Sequence, residues 1–208
     1  MNYIPLCLFV ILSASNIKTR KMGLNKESGA IKLTLAPMAC LYVLINTNFD
    51  SKTKTLIILA YSLYLIGDTF LLSSKIILFG TGLFSFLLGH ICFIIFFFSH
   101  AHSFKFFPIS IIAMIYPLYQ MFVITRSQGK LKIPMRLYSI LMVIFITSST
   151  LMNNPIFTIG ASIFTLSDSF IARNSSAKKI IFDDFYIMGT YTLALILLST
   201  GLIVYAIT

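Results

Sequence analysis

The stretch Ile76-Ile-Leu-Phe-Gly-Thr-Gly-Leu-Phe-Ser-Phe-Leu-Leu-Gly-His90-Ile-Cys-Phe-Ile-Ile-Phe-Phe-Phe-Ser99 contains no Lys, Arg, Asp or Glu. About 20 consecutive apolar residues in a helix are enough to cross the hydrocarbon of a bilayer. Outward from this segment in both directions, charges and clusters of Asn, Pro and Gly divide the chain into further apolar runs. Together they cover roughly residues 3 to 16, 31 to 48, 56 to 73, 76 to 99, 105 to 125, 135 to 152, 155 to 172 and 185 to 207. The predicted fold is all-α: a polytopic transmembrane helix bundle of about eight spans, forming one integral membrane domain over residues 1–208. The first two runs are short and the Asn153-Asn154-Pro155 junction is tight, which leaves a count of seven open.

Composition points the same way. Of the 208 residues 58% are hydrophobic and only 11% are charged, against roughly a quarter charged in soluble domains. The polar stretches near residues 16 to 30, 126 to 136 and 173 to 184 are the size of inter-helix loops and too short to bury a core of their own. With 20 Phe, 10 Tyr and no Trp, an interfacial aromatic belt falls to tyrosine. Cys7, Cys40 and Cys92 lie in apolar runs without CxxC spacing and read as small hydrophobes, neither disulfides nor zinc ligands. The net charge of +10 is scattered between apolar runs, which fits a membrane surface and not nucleic acid. No basic residue precedes Tyr3–Ser15 and a basic cluster follows it, so this run reads as a first span and not as a signal peptide.

Orientation follows from where the Lys and Arg residues fall, because cytoplasmic loops retain positive charge. The odd-numbered loops and their flanks hold thirteen: Lys18, Arg20, Lys21, Lys26, Lys32, Lys75, Arg126, Lys130, Lys132, Arg136, Arg173, Lys178 and Lys179. The even-numbered loops hold three, Lys52, Lys54 and Lys105. The split predicts eight spans with both termini on the non-cytoplasmic side of a plasma membrane or endoplasmic reticulum, depending on source.

An offset of 100 residues aligns Ser62-Leu-Tyr-Leu-Ile-Gly-Asp68-Thr-Phe-Leu-Leu with Ser162-Ile-Phe-Thr-Leu-Ser-Asp168-Ser-Phe-Ile-Ala, and also Gly89 with Gly189. Such matches arise easily in Leu- and Phe-rich spans. If they mark a four-plus-four repeat, the halves are parallel, related by an axis along the membrane normal, and the two aspartates lie at equal depth.

An ionisable group on a membrane helix is costly, and is normally turned inward and paired. Glu27, Asp50, Asp183 and Asp184 lie in predicted loops, where solvation explains them. Asp68 and Asp168 do not. Each is about five residues from the cytoplasmic end of its span, roughly 7 Å deep at 1.5 Å per residue. The structural alternative is that they only bond neighbouring groups, with Thr69, Ser167 and Ser169 as local partners. The functional reading is that of paired carboxyls, where one holds a proton while the other stays ionised, so that an acid and a base coexist.

Four further residues are candidates. His90 is either a helix-to-helix hydrogen-bonding post or an active residue, and with no second His or Cys near it there is no metal site. Lys32, at the cytoplasmic start of the second span, either snorkels to the interface or pairs with a carboxylate or phosphate. Tyr191 is an interfacial tyrosine or a donor in the site, and Ser167 adjoins Asp168. His100 and His102 read as solvated loop residues.

The run from Leu59 to Phe93, with Ser62, Leu65-Ile66-Gly67-Asp68, Phe84-Ser85-Phe86 and Leu88-Gly89-His90, resembles the signature of the YhhN-like, or lysoplasmalogenase, membrane family. Leu166-Ser167-Asp168-Ser169, Ala172, Asn174, Gly189-Thr190-Tyr191 and Leu193-Ala194 resemble its second block. The family's lysine-proline pair at the second span stands here as Lys32-Leu33 with Pro37 later, and Thr192 and Leu195 replace a common tyrosine and glutamine. The resemblance implies an eight-span enzyme, without a cofactor, that hydrolyses the vinyl ether of a lysoplasmalogen, a lysophospholipid drawn from the bilayer. The products are a fatty aldehyde and glycerophosphocholine or glycerophosphoethanolamine. It implies Asp68 and Asp168 as catalytic acid and base, and Lys32, His90, Tyr191 and Ser167 as substrate contacts. Two rivals stay open. Paired intramembrane acids also serve proton-coupled transporters. An intramembrane aspartyl protease is expected to carry GxGD, and Leu65 occupies the place of its first glycine. Oligomeric state is not legible.

Overall fold

The computed structural model describes residues 2–22, 24–73, 75–101, 108–122, 132–174 and 183–207. Among these residues there are eight α-helices and no strand: α1 (Ile4–Lys21), α2 (Asn25–Asn46), α3 (Ser51–Leu71), α4 (Ile76–Ser99), α5 (Pro108–Phe122), α6 (Lys132–Ser149), α7 (Pro155–Asn174) and α8 (Asp183–Ile207). Each helix overlaps one of the predicted apolar runs. Five stretches, Lys26–Asn46, Ser51–Leu71, Ile77–Ser99, Lys132–Met152 and Phe185–Ile207, are long and apolar enough to cross a membrane. Shorter apolar stretches occupy Ser110–Tyr119 in α5 and Pro155–Ile171 in α7, and the last turn of α1 carries Lys18, Arg20 and Lys21. The several long apolar helices fit a multi-pass membrane protein. Of the charges used to predict orientation, Lys105, Arg126, Lys130, Lys178 and Lys179 lie outside the described residues, as does His102.

Local chemistry fixes the helix ends. Asp50 caps α3, its Oδ2 accepting from the backbone N–H of Lys52 at 3.1 Å and of Thr53 at 3.4 Å. The tight junction between α6 and α7 is a true break. After a 3-10 turn at Thr150–Met152, Asn153 takes φ 51°, a left-handed conformation that asparagine tolerates better than most residues. Asn154 Oδ1 then accepts from Ile156 N–H at 3.0 Å, and Pro155 starts α7 where its missing N–H costs nothing.

The chain forms two compact units. The first comprises Met1–Phe96 with Ser199–Thr208, and the second Phe97–Leu198. In the first unit α1 packs along α2 and α2 along α3. Asn16 Nδ2 donates to Ser28 O at 2.6 Å across the first hairpin, and Asn46 Nδ2 donates to Asn2 O at 3.0 Å at its other end. Helices α3 and α4 meet at glycines. A Cβ on Gly67 would lie 2.6 Å from the Phe86 ring and 3.2 Å from Gly82 O, and one on Gly82 would lie 3.1 Å from Gly67 O. Without a hydrophobic driving force in lipid, this close backbone approach supplies the packing. Ser85 Oγ donates to Leu63 O at 2.6 Å along the same seam. The aromatic core of Tyr61, Tyr64, Phe86 and Phe93 fills the space beside it, with Tyr61 OH 2.6 Å from Ser199 Oγ on α8.

In the second unit α5 packs on α6 and α7, and α6 on α7. Phe97 sets its ring 6.0 Å from that of Phe145 and 5.2 Å from that of Phe157. Gly160 brings α7 close to α8, where an added Cβ would meet Leu197 and Leu198 at 3.2 Å. The aligned pair Gly89 and Gly189 differ in role. A Cβ on Gly89 would strike the Tyr64 ring at 2.5 Å, whereas one on Gly189 would meet nothing within 4 Å.

Candidate active site

Each aspartate is buried in its own unit and is held by a side chain from the helix that precedes its own. Asp68, on α3, is 1% exposed, and its Oδ1 lies 2.9 Å from Lys32 Nζ on α2. Gly67 beside it lets α3 approach α4 closely, and Asp68 is buried next to that contact. Lys32 is 13% exposed. Of the two sequence readings for this lysine, a snorkelling surface cation or a partner for an anion, the structure shows the second, and the anion is Asp68.

Asp168, on α7, is 3% exposed, and its Oδ2 accepts a short hydrogen bond from the hydroxyl of Tyr138 on α6. Tyr138 is itself buried, and sequence reasoning did not single it out. A usable signal was there: a tyrosine sunk in an apolar span needs a partner for its hydroxyl, and Tyr138 follows Arg136 at the basic end of its helix. The hydroxyls nominated as local partners of Asp168 point elsewhere. Ser167 Oγ donates to Ile187 O on α8 at 3.1 Å, and Ser169 Oγ donates to Thr165 O at 2.7 Å. Thr69 Oγ1, beside Asp68, donates to Leu65 O at 2.8 Å.

His90 is completely buried in the first unit. Its Nδ1 bonds Phe86 O at 2.6 Å, and because a carbonyl only accepts, that nitrogen carries the proton. The imidazole ring lies 5.3 Å from that of Tyr64. Tyr191, buried in the second unit, meets Phe164 edge-on at 5.6 Å. The structure thus brings Lys32 to Asp68, and Tyr138 to Asp168. Ser167 ties α7 to α8, while His90 and Tyr191 stand in aromatic packing. Among the described residues no three His, Cys, Asp or Glu side chains converge as metal ligands would. The three cysteines are free, with Cys7 exposed, Cys40 half-buried and Cys92 buried. A groove of about 300 Å³ runs between α2 and α3, lined by Pro37, Cys40, Leu41, Leu44, Tyr61, Ser62 and Leu65.

Compared with known families, the sequence matches the YhhN family over residues 28–202, a span that contains both aspartates, Lys32, Tyr138, His90 and Tyr191. The chain belongs to the YhhN family. No curated protein and no solved structure matches it. Membership agrees with the resemblance carried by the Leu65-Ile66-Gly67-Asp68 and Leu166-Ser167-Asp168-Ser169 blocks, and it is consistent with a hydrolase.

Proposed function

We propose that this YhhN-family chain is a lysoplasmalogenase-like membrane hydrolase, with Asp68 and Asp168 as its acid and base. The observation that carries the reading is the burial of two carboxyls on apolar helices, each engaged by a side chain from the preceding helix. Buried acids of this kind are retained at a cost and mark functional sites.

In the reaction, a carboxylic acid gives its proton to the β-carbon of the vinyl ether, and the C=C electron pair forms the new C–H bond. The α-carbon becomes an oxocarbenium ion, stabilised by the other carboxylate. Water attacks that carbon and yields its proton to the carboxylate. The hemiacetal then collapses: the bond from the α-carbon to the glycerol oxygen breaks, that oxygen takes the proton now on the second carboxyl, and the hemiacetal hydroxyl gives its proton back to the first as the aldehyde C=O forms. One water is consumed and both carboxyls return to their starting states.

Residues 1–208 act as one integral membrane domain of eight spans, with both termini non-cytoplasmic. The alkenyl chain lies along the apolar helix faces, and Lys32 and the cytoplasmic Lys and Arg residues receive the phosphate. His90, Tyr191 and Ser167 bound the space for substrate. The test is direct. Purified protein incubated with lysoplasmalogen releases fatty aldehyde and a glycerophospho-base in equal amounts; no aldehyde from well-folded protein would remove the proposal.

One observation favours proton-coupled transport instead. Thr158, Ser162, Thr165 and Ser169 are buried in a row of hydroxyls that runs about 16 Å along α7, about a quarter-turn round the helix from Asp168. Three of the four donate to carbonyls four residues back in their own helix, so those protons already have an acceptor. Substrate-dependent proton flux into sealed vesicles, without aldehyde release, would establish transport over hydrolysis.

A further inference from the structure

We infer that Tyr138 is a positioning residue, through which α6 sets the orientation of the Asp168 carboxyl that the proposed hydrolysis uses. The inference rests on that reading of Asp168, and adds to the site a residue and a helix that no sequence motif marks.

A serine hydroxyl has one proton to give. Ser167 gives its proton to Ile187 O and Ser169 gives its proton to Thr165 O, so neither flanking hydroxyl donates to Asp168. Tyr138 does, from 30 residues away in sequence and from a different helix. Both groups are at least nine-tenths buried, with Tyr138 4% and Asp168 3% exposed, so water competes poorly for the bond. A hydroxyl donating to a carboxylate is among the stronger hydrogen bonds.

The donor is also well anchored. Tyr138 lies among the buried residues Met135, Ser139 and Met142 of α6, and Thr165 Oγ1 on α7 lies 3.6 Å from Met142 Sδ, so the two helices are in contact one turn beyond the Tyr138–Asp168 bond. A tyrosine side chain has only two soft torsions, which limits the entropy lost in holding it. Occupying Oδ2 fixes the plane of the carboxyl and therefore the directions open to its remaining lone pairs. The phenol brings no charge of its own to Asp168, whereas Lys32 brings a full cation to Asp68. Where Asp168 is the acid, negative charge grows on it as the proton leaves and the phenol bond strengthens, a differential stabilisation of the kind catalysis needs.

Tyr138→Phe removes the hydroxyl and keeps the ring. In purified full-length protein the expected result is a kcat about 10- to 100-fold lower, the range for groups that orient an active residue, with KM within about twofold. Adding Tyr138→Phe to Asp168→Asn should cost nothing further, because the two act as a unit. A readout independent of turnover is the infrared difference spectrum. The carboxyl vibration that Asp168→Asn removes should shift in Tyr138→Phe, and the one that Asp68→Asn removes should stay in place. If Tyr138→Phe does not fold, ring-fluorinated tyrosine at position 138 keeps the shape, strengthens the donor and should shift the same vibration. An unmoved Asp168 vibration, or an unchanged kcat, overturns the inference. If the wild-type protein releases no aldehyde, the hydrolase reading fails, and the infrared result alone decides whether Tyr138 orients Asp168.

Discussion

Lys32 Nζ stands 2.9 Å from Asp68 Oδ1, a cation from the start of α2 closing on a carboxyl that is 1% exposed on α3. Neither charge is an accident of the surface. Removing one partner of a buried pair leaves the other without its counter-charge, and the cost is then large even where the pair itself contributes little.

Lys32→Met should therefore destabilise the protein by roughly 3–5 kcal/mol, the range for breaking a buried ion pair. Lys32→Met combined with Asp68→Asn should recover part of that loss, since no charge is stranded. Thermal unfolding of the four proteins in detergent closes the double-mutant cycle. A loss in the double variant equal to the sum of the two single losses would show that the pair is not coupled.

The glycines give a second contrast. A Cβ at Gly67 would lie 2.6 Å from the Phe86 ring, and one at Gly189 would meet nothing within 4 Å. Gly67→Ala should push α3 from α4 at a cost of about 1–3 kcal/mol, as overpacking does. Gly189→Ala should be neutral or slightly stabilising. Unfolding midpoints of the two variants provide the check.

At the start of α3, hydrogen bonding to Asp50, first from the Thr53 side chain and then from the backbone of Thr53 and Lys52, holds its carboxyl below the ordinary value of 3.8. A carboxyl depressed in the folded state stabilises the fold above its unfolded value, and that contribution is lost as pH falls through the lowered folded value. The Thr53 amide resonance should report loss of the cap only in strongly acidic solution. Asp50→Asn, which caps without titrating, should make it insensitive to acid.

Asn153, at φ 51°, separates α6 from α7. Asn153→Ala should cost about 1–2 kcal/mol, the left-handed penalty for a residue with a Cβ, while Asn153→Gly should not. Equal unfolding midpoints for the Ala and Gly variants would contradict that account of the turn.

The helices were legible because lipid imposes one simple demand: long apolar runs must pair their own backbone. Their ends were less so. The structure starts α2 at Asn25 and α3 at Ser51, several polar residues before the apolar runs begin, because a helix does not stop where hydrocarbon does. Asp68 and Asp168 stood out as costly charges. Their partners depend on which helix packs against which, and that is not written in hydropathy. Lys32 was visible as a choice between two roles, and Tyr138 looked like any other aromatic in an apolar run. His90 shows the opposite case, a prominent residue whose proton serves Phe86 O in its own helix.

The proposed hydrolysis needs both carboxyls, and the most direct measurement is aldehyde release from lysoplasmalogen by Asp68→Asn and Asp168→Asn proteins. Both should insert into membranes and unfold cooperatively, and each should lose turnover by a thousandfold or more, about 4 kcal/mol in the barrier. Near-normal aldehyde release by either Asn variant would contradict the assignment.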